Sequence, residues 1–149
     1  MSHEPYIYEE TTAESIDRDA LCSLYKSVGW SVYASDPDLL MAAVAGSDFV
    51  LTATIHHTLI GIIRCVSDDV SSVYIQDIIV HPDHQNQGIG RELMEQVLKR
   101  FDHVRQKVLL TDDHPGQLHF YASLGFQNTR DLIKTPLNAF VIIKGVTLA

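Results

Sequence analysis

Residues 74–91 read YIQDIIVHPDHQNQGIGR. Apolar and β-branched residues dominate the first seven and predict the end of a strand from Val73 to Val80. A polar loop follows, and apolar residues at helical spacing begin at Ile89, so Gly88 and Gly90 stand where a helix begins. The unpaired N–H groups and the dipole of a helix start suit a phosphate, and glycine lets it approach closely. The alternative is an ordinary turn.

Two common phosphate-binding motifs do not fit this junction. A P-loop requires Gly-Lys-Ser/Thr, which does not follow here. A dinucleotide fingerprint requires G-x-G-x-x-G, and Leu93 stands where its third glycine belongs. The spacing instead matches Q/R-x-x-G-x-G/A, with Gln85 first and the two glycines at their places, directly after a strand that ends at Val80-His81-Pro82.

A second block, HFYASLGF at residues 119–126, lies downstream. Together the two blocks resemble the GNAT superfamily of acetyl-CoA-dependent N-acetyltransferases, whose members carry the first pattern and then F-Y-x-x-x-G-F. The resemblance covers nearly the whole chain and implies one domain, residues 1–149. The implied fold is α+β, a mixed, mostly antiparallel central sheet flanked by about four helices. The implied activity is that of an acyltransferase with acetyl-CoA as cosubstrate.

The periodicity of the first fifty residues predicts a strand and two helices. Tyr6 to Glu9 form a short strand, and T-x-x-E at Thr11 and Glu14 predicts a capping box that begins a helix ending at Gly29. Asp36-Pro37 offers an N-cap followed by proline at the first helical position, and Gly46 ends this second helix.

The remaining elements alternate between strand and helix periods, so the order β-α-α-β-β-β-α-β-α-β-β indicates an α+β chain. Three consecutive apolar runs with short polar links predict an antiparallel meander. The predicted elements are strands at Phe49–Ile55, Leu59–Val66 and Val73–Val80, a helix at Ile89–Phe101, a strand at Val108–Leu110, a helix from about Pro115 to Gly125, and last strands from Phe126 onward and at Ala139–Val146.

Composition excludes several function classes. Eleven Lys and Arg against 19 Asp and Glu give a net charge of −8, so no basic face for nucleic acid is expected. Two cysteines without a CxxC pair argue against a disulfide framework and a thiolate zinc site, and the eight histidines form no evident ligand set. No bound metal is expected. The N-terminal residues lack signal-peptide character and the apolar runs are short, so we expect a cytoplasmic protein without membrane contact.

The resemblance assigns the cofactor-binding residues. Backbone N–H groups from Gln87 to Arg91 would hold the CoA pyrophosphate, and the Arg91 charge would favour it. The pantetheine arm would add like an extra strand beside residues 78–80. A bulge would splay that strand, and a backbone N–H in the Ile79 region would stabilise the oxyanion. The expected cofactor-binding residues are Ile78, Ile79, Val80, Gln85, Asn86, Gln87, Gly88, Ile89, Gly90 and Arg91.

Two residues are the expected catalytic groups. Tyr121 matches the tyrosine that serves many GNAT enzymes as general acid toward the CoA thiolate; the alternative is a core tyrosine bonded to backbone. Asp77 matches a substrate-amine contact of polyamine acetyltransferases, and would bind an ammonium or relay its proton through water. Alternatively, Asp77 bonds local backbone at a strand end. Gln76 stands where those enzymes carry a glutamate base, and glutamine cannot serve as one.

The acceptor is expected to be a small-molecule primary amine, attacked directly in a ternary complex. Trp30 and Tyr33, between the first two helices, are candidates for the wall of its pocket; the alternatives are core contacts or contacts in a homodimer. His114 or His119 is a further candidate base, and Asp112-Asp113 a candidate for the acceptor end of the cleft. Two other functions stay open, acetylation of a protein N-terminus or lysine, and a non-catalytic acyl-CoA sensor.

Overall fold

The computed structural model describes residues 5–149. Residues 1–4, part of the segment in which no signal peptide is expected, lie outside that range. The chain divides into two compact units, residues 1–110 and 111–149. The single domain expected for the whole chain therefore stays a prediction.

The first unit contains four helices and five strands among its described residues. Three of the strands form the predicted meander, and their bounds differ from the prediction by at most one residue at each end. The elements are β1 (Ile7–Glu10), α1 (Arg18–Ser27), α2 (Ser31–Ala34), α3 (Pro37–Ala45), β2 (Phe49–Ile55), β3 (Thr58–Ser67), β4 (Ser72–Val80), α4 (Ile89–Arg100) and β5 (Gln106–Leu109).

The helix caps are predicted correctly at one helix and wrongly at another. Asp36 accepts a hydrogen bond from the Leu39 N–H at 3.2 Å, with Pro37 at the first position of α3, as expected. The capping box at Thr11 and Glu14 is wrong. Thr11 precedes a short 3₁₀ turn at Ala13–Ser15 and Glu14 lies within it, and this turn has no side-chain cap. Asp17 caps α1 by accepting from the Ala20 N–H at 2.8 Å. An aspartate adjoining the helix satisfies its first N–H groups directly.

The sheet has the order β1-β2-β3-β4-β5 and is antiparallel except for the last pair. This matches the expected mixed, mostly antiparallel sheet. β4 pairs with β3 from Val73 to Val80, but with β5 only from Ser72 to Ile75. The sheet therefore opens on the β5 side of β4, within the first unit.

The two faces of the sheet carry different helices. Ile62 and Ile79 pack in a core cluster with residues of α1 and α3 such as Leu24 and Val44. On the opposite face, the ring of Phe49 meets the ring of Phe101, just after α4, at 5.6 Å. Residues that pair directly across strands share a face, so the register places each β4 side chain against one helix layer or the other.

The second unit contains α5 (Pro115–Ser123) and a 3₁₀ turn at Thr129–Asp131. The strands predicted from Phe126 onward and at Ala139–Val146 are wrong, because the structure assigns no strand within residues 111–149. Phe140 and Ile142 are 93% and 99% exposed. An apolar run indicates a strand only when a neighbouring strand pairs with it, and the sequence does not specify that neighbour.

No helix within residues 5–149 combines the length and apolar character that crossing a bilayer requires.

Candidate functional site

A β-bulge in β4 lies at Gln76. Arg64 pairs with Asp77 and Cys65 pairs with Ile75, which leaves Gln76 as the extra residue on β4. The bulge exchanges the faces of the strand. Ile75 shares a face with Phe49 and α4, whereas Asp77 shares a face with the core cluster under α1 and α3. A bulge of this kind re-aims side chains and interrupts pairing. It lies on the strand for which the sequence resemblance implies a bulge.

The backbone of β4 beyond the bulge has an unpaired edge in the first unit. The His81 N–H donates to the Ile60 carbonyl at 2.7 Å, so His81 directs its polar groups toward β3. Because N–H and C=O directions alternate along a strand, Asp77 and Ile79 also face β3, and Ile78 and Val80 face away from it. The donors available to an added strand are therefore the N–H groups of Ile78 and Val80. Ile79 itself, at the centre of the expected region, uses its N–H within the sheet.

The N-terminus of α4 adjoins this edge. Gln85 connects them, since its Nε2 donates to the Val80 carbonyl at 3.0 Å. Gly88 precedes the helix with φ +83°, a left-handed conformation that glycine adopts without strain. A Cβ built on Gly88 would meet nothing within 4 Å, so the backbone faces open space. The N–H groups of Ile89 and Gly90 lie in the first turn, where helices leave their donors unpaired.

The loop before α4 is fixed from the N-terminal side of the chain. The Tyr6 hydroxyl donates to Gln87 Oε1, and its ring meets the ring of His84 edge to face at 6.0 Å. Asn86 has φ +62°, a left-handed conformation that asparagine tolerates better than most residues. The loop is thus held in one shape, with polar backbone groups near a helix dipole that favours anions. Arg91 is half-exposed and pairs with Glu95 at 3.4 Å.

Asp77 lies inside the protein in a polar network. Its Oδ2 accepts from Arg64 Nε at 2.6 Å and from the Tyr25 hydroxyl at 2.7 Å. Arg64 also donates from Nη1 to Ser47 Oγ at 3.3 Å. Only 5% of Asp77, 5% of Arg64 and none of Tyr25 is exposed. The alternative of a strand-end aspartate bonded to backbone does not describe this geometry, because Asp77 accepts from side chains of α1 and β3.

Both partners of Asp77 stay protonated at neutral pH. Burial raises the pKa of the Tyr25 phenol far above its usual value, and the Asp77 carboxylate raises it further. Burial lowers the pKa of Arg64, but the nearby carboxylate outweighs this effect, so the net pKa is raised. The negative charge of Asp77 is therefore compensated by a guanidinium at ion-pair distance.

The expected acceptor residues surround this network to different degrees. Gln76 is exposed at the bulge. Trp30 is 39% exposed, and its ring meets the ring of Tyr25 at 6.1 Å. Tyr33, in α2, packs against the core cluster. The structure thus brings Trp30 into contact with Tyr25, a member of the Asp77 network. Tyr33 instead packs against the hydrophobic core cluster.

Tyr121 belongs to α5 in the second unit. It is 9% exposed, and its ring contacts the rings of Phe120 and Phe126 at 5.1 and 6.0 Å. Burial raises the pKa of its phenol, while a side-chain hydrogen bond with Thr111 acts in the opposite direction. The net effect keeps the phenol protonated, which a general acid requires.

The described residues contain no group of three or more His, Cys, Asp or Glu side chains arranged to hold a metal ion. His114 caps α5 by accepting from the Gly116 N–H at 3.1 Å. Asp113 pairs with Arg130 at 3.6 Å. His81 accepts from the Asp83 N–H at 3.1 Å. Each of these side chains has a local structural role in its own loop.

Comparison with known proteins decides the family. The model of the acetyltransferase (GNAT) domain matches residues 23–135. The chain belongs to the GNAT family of acetyltransferases. It is 34% identical over 133 residues to a ycf52-like N-acetyltransferase of Prochlorococcus marinus, a match that covers 84% of this chain and 71% of that protein. In seven further curated relatives, the matched part covers between 31% and 64% of the relative's own length.

Solved structures agree with this assignment. A GNAT-family acetyltransferase from Streptococcus pneumoniae TIGR4 superimposes with a TM-score of 0.77 at 30% identity, over 94% of this chain and 99% of that one. The PaiA N-acetyltransferase of Thermoplasma acidophilum, solved in complex with coenzyme A, has a TM-score of 0.68 at 16% identity, over 83% and 90% of the two chains. At that identity the second comparison supports the fold alone. This GNAT chain is therefore an acetyltransferase whose family implies acetyl-CoA as donor.

The family-derived cosubstrate fits the residues present. Gly88 adjoins open space at the first turn of α4, and the N–H groups of Ile78 and Val80 point away from β3 on the strand that leads into this loop. Such donors suit a diphosphate joined to an amide-bearing arm.

Sequence reasoning missed Tyr25, Arg64 and Tyr6. Arg64 carried a usable signal, because it is the one charged residue in the apolar run from Leu59 to Val66. A charge in a buried strand needs a partner, and the facing strand offers Asp77. Tyr25 and Tyr6 carried no such signal, since an amphipathic helix and an edge strand both accept tyrosine for packing alone.

Replacing Tyr6 by phenylalanine is expected to weaken acetyl-CoA binding without changing the KM of the acceptor amine. The change removes the hydroxyl that holds Gln87 and keeps the ring against His84. One hydrogen bond contributes about 1 kcal/mol, which corresponds to roughly a five-fold rise in Kd. Calorimetry with acetyl-CoA measures this rise. Tyr8→Phe, two residues along the chain in β1, is the matched control, and equal effects of both variants would contradict a specific role for Tyr6.

Proposed function

We propose that this GNAT enzyme transfers the acetyl group of acetyl-CoA to a primary amine of a small molecule by direct attack in a ternary complex. The observation that carries the proposal is the unpaired edge of β4 beyond Gln76, which runs into the N-terminus of α4. The net charge of −8 supports a cationic acceptor more than an anionic one.

The chain's own residues have distinct parts in this reaction. The first-turn N–H groups of α4 bind the diphosphate, and the polar groups of Ile78 and Val80 bind the pantetheine arm. Acetyl-CoA supplies the activated acetyl thioester. The Ile78 N–H, the outward donor nearest the bulge, is the one we assign to the developing oxyanion. It is held in place before reaction, so it stabilises negative charge without a cost of reorientation.

Tyr121 is the proposed general acid toward the departing thiolate. The family motif supports this role, and its burial supports a phenol that keeps its proton. Trp30, with Gln76 and Tyr33, is proposed to border the acceptor. Asp77 enters the proposal as a residue near the acceptor end of β4, but its compensated charge makes it a weak site for an ammonium.

We expect the rate to rise with pH and to stay high up to about pH 10. The attacking amine must be neutral, so kcat/KM increases until the amine or its relay is deprotonated. A general acid gives a descending limb above its own pKa, and burial raises the pKa of Tyr121 from its ordinary value near 10. Steady-state kinetics between pH 6 and about pH 10 test this, and a descending limb near pH 8 would exclude Tyr121 as the acid.

A panel of acceptors tests the function itself. Thiol release from acetyl-CoA is measured with small aliphatic and aromatic amines, with peptides bearing a free N-terminus, and with lysine peptides. Small-molecule acetylation predicts the highest kcat/KM among the small amines. A preference for peptides would favour a protein acetyltransferase instead. Tight acetyl-CoA binding without thiol release for any amine would favour a non-catalytic sensor.

A further inference from the structure

The network of Tyr25, Arg64, Asp77 and Ser47 joins four segments of the first unit. Tyr25 comes from α1, Arg64 from β3 and Asp77 from β4, while Ser47 follows α3 and itself donates to the Ala43 carbonyl at 2.8 Å. Every buried side-chain polar atom in the described part of the chain has a hydrogen-bond partner. The network is therefore fully satisfied, and removal of Asp77 would leave the Tyr25 hydroxyl and Arg64 Nε without the acceptor that they share.

Stability alone does not account for these residues. Transfer of a guanidinium and a carboxylate from water to the protein interior costs much of what their attraction returns, so apolar residues of similar size often stabilise a core equally well. The neighbours Ile63, Cys65, Ile75 and Ile79 are apolar and buried. A charged pair in this setting calls for a different explanation.

The position of the pair supplies that explanation. Arg64 and Asp77 are directly opposite each other, and they are the first pair after the bulge at Gln76. The peptide between Asp77 and Ile78 directs its C=O toward β3 and its N–H toward the open edge. Rotation of the chain at Asp77 would turn this N–H. A bulge weakens the ladder locally, so the side chain of Asp77 is the anchor nearest to that peptide.

We propose that Tyr25 and Arg64 are positioning residues: they hold the Asp77 carboxylate and so fix the Ile78 N–H in the direction that the oxyanion requires. The inference rests on the proposed function, because it assigns the oxyanion donor there. It also gives Asp77 a role distinct from contact with the acceptor amine. Arg64 already occupies the carboxylate at 2.6 Å, so an acceptor ammonium would have to compete with a buried guanidinium.

The titratable groups around Asp77 keep their protonation states across the working pH range. These groups are Tyr25, Arg64, Tyr74 and Cys65. Burial, and then Asp77, raises the pKa of Tyr74, and burial raises the pKa of Cys65 to about 12, with Arg64 acting against it. None of these groups changes its charge between pH 6 and about pH 8. Loss of the network is therefore expected to lower the rate without changing the shape of the pH profile.

The test replaces the whole network by apolar residues. The triple variant Tyr25→Phe/Arg64→Met/Asp77→Leu removes all three polar groups together, so it orphans none of them and the fold is expected to persist. We expect kcat to fall about 10- to 100-fold, since a misdirected oxyanion donor loses most of its effect. The acetyl-CoA Kd is expected to change by less than about two-fold. If the triple variant does not fold, the single variant Tyr25→Phe is tested in its place, with a smaller fall in kcat expected and the acetyl-CoA Kd again unchanged.

A spectroscopic readout separates this inference from the proposed function. The thioester carbonyl of acetyl-CoA labelled with ¹³C at that carbon should shift downfield on binding to the wild-type enzyme, because a hydrogen bond polarises it. The variant should bind the same ligand with most of that shift lost. This measurement needs no acceptor. If no amine reacts but the wild-type shift is present and the variant loses it, the proposed function fails and the inference stands.

Three outcomes would overturn the inference. A triple variant with wild-type kcat and wild-type carbonyl shift would make the network purely structural. A raised acceptor KM with kcat and carbonyl shift unchanged would return Asp77 to the role of acceptor contact. If the wild-type enzyme produced no carbonyl shift, there would be no hydrogen bond to the thioester carbonyl for the network to position. The matched control is Arg18→Gln/Asp38→Asn, which removes an exposed ion pair of 2.7 Å between α1 and α3 and should alter none of these values.

Discussion

Tyr121→Phe lowers kcat by about 100-fold or more and leaves the acetyl-CoA KM within about two-fold of wild type, if Tyr121 is the general acid. Phenylalanine keeps the ring that packs against Phe120 and Phe126, so the aromatic packing of the second unit persists. Only the hydroxyl and its proton are lost. Steady-state kinetics with the best amine of the panel, and a single-turnover measurement of thiol release, give both constants.

The control separates loss of the proton from loss of a hydrogen bond. Thr111 shares a side-chain hydrogen bond with Tyr121, so Thr111→Val removes that bond and leaves the phenol in place. The bond lowers the pKa of Tyr121, and its removal therefore leaves the phenol protonated at neutral pH. We expect Thr111→Val to keep kcat within a few-fold of wild type. Equal losses in the two variants would mean that the hydrogen bond, and not the proton, matters.

The sequence predicts the parts of the fold that depend on local signals. The meander from Phe49 to Val80 is such a part, because strand periodicity is interrupted by His56-His57, which adopt φ of +48° and +64° in a tight turn. Asp36-Pro37 is another, because capping depends on a few adjacent residues. Gly88 is a third, since its left-handed conformation and the helix that it precedes lie within the motif itself.

What the sequence does not predict depends on distant partners. Phe140 and Ile142 have side chains that favour strands, yet in the second unit they are exposed and lie in no strand. Arg64 and Asp77 are 13 residues apart, and Tyr25 is 52 residues from Asp77, so no local pattern joins them. The role of Asp77 changes accordingly. Its position on β4 follows from the motif, but its compensated charge follows only from the register.

The largest loss of cosubstrate binding is expected at Gly88. A Cβ there meets nothing within 4 Å, but φ of +83° strains an L-residue by about 1–2 kcal/mol. Gly88→Val adds β-branching in a conformation that such residues rarely adopt, so it changes both stability and binding. Gly88→Ala is the cleaner variant, because it adds one methyl group beside the start of α4 without β-branching.

Gly29→Ala is the matched control that isolates phosphate binding from backbone strain. Gly29 follows α1 with φ of +80°, and a Cβ there also meets nothing within 4 Å, so both substitutions carry the same conformational cost. We expect equal losses of stability in chemical denaturation. Only Gly88→Ala should raise the acetyl-CoA Kd, by about 10- to 100-fold, because charge-assisted hydrogen bonds to phosphate contribute about 1.5–3 kcal/mol. If calorimetry gave both variants the wild-type Kd, the α4 N-terminus would not be the phosphate-binding site. An anion held by those N–H groups should be hindered by a methyl group at Gly88.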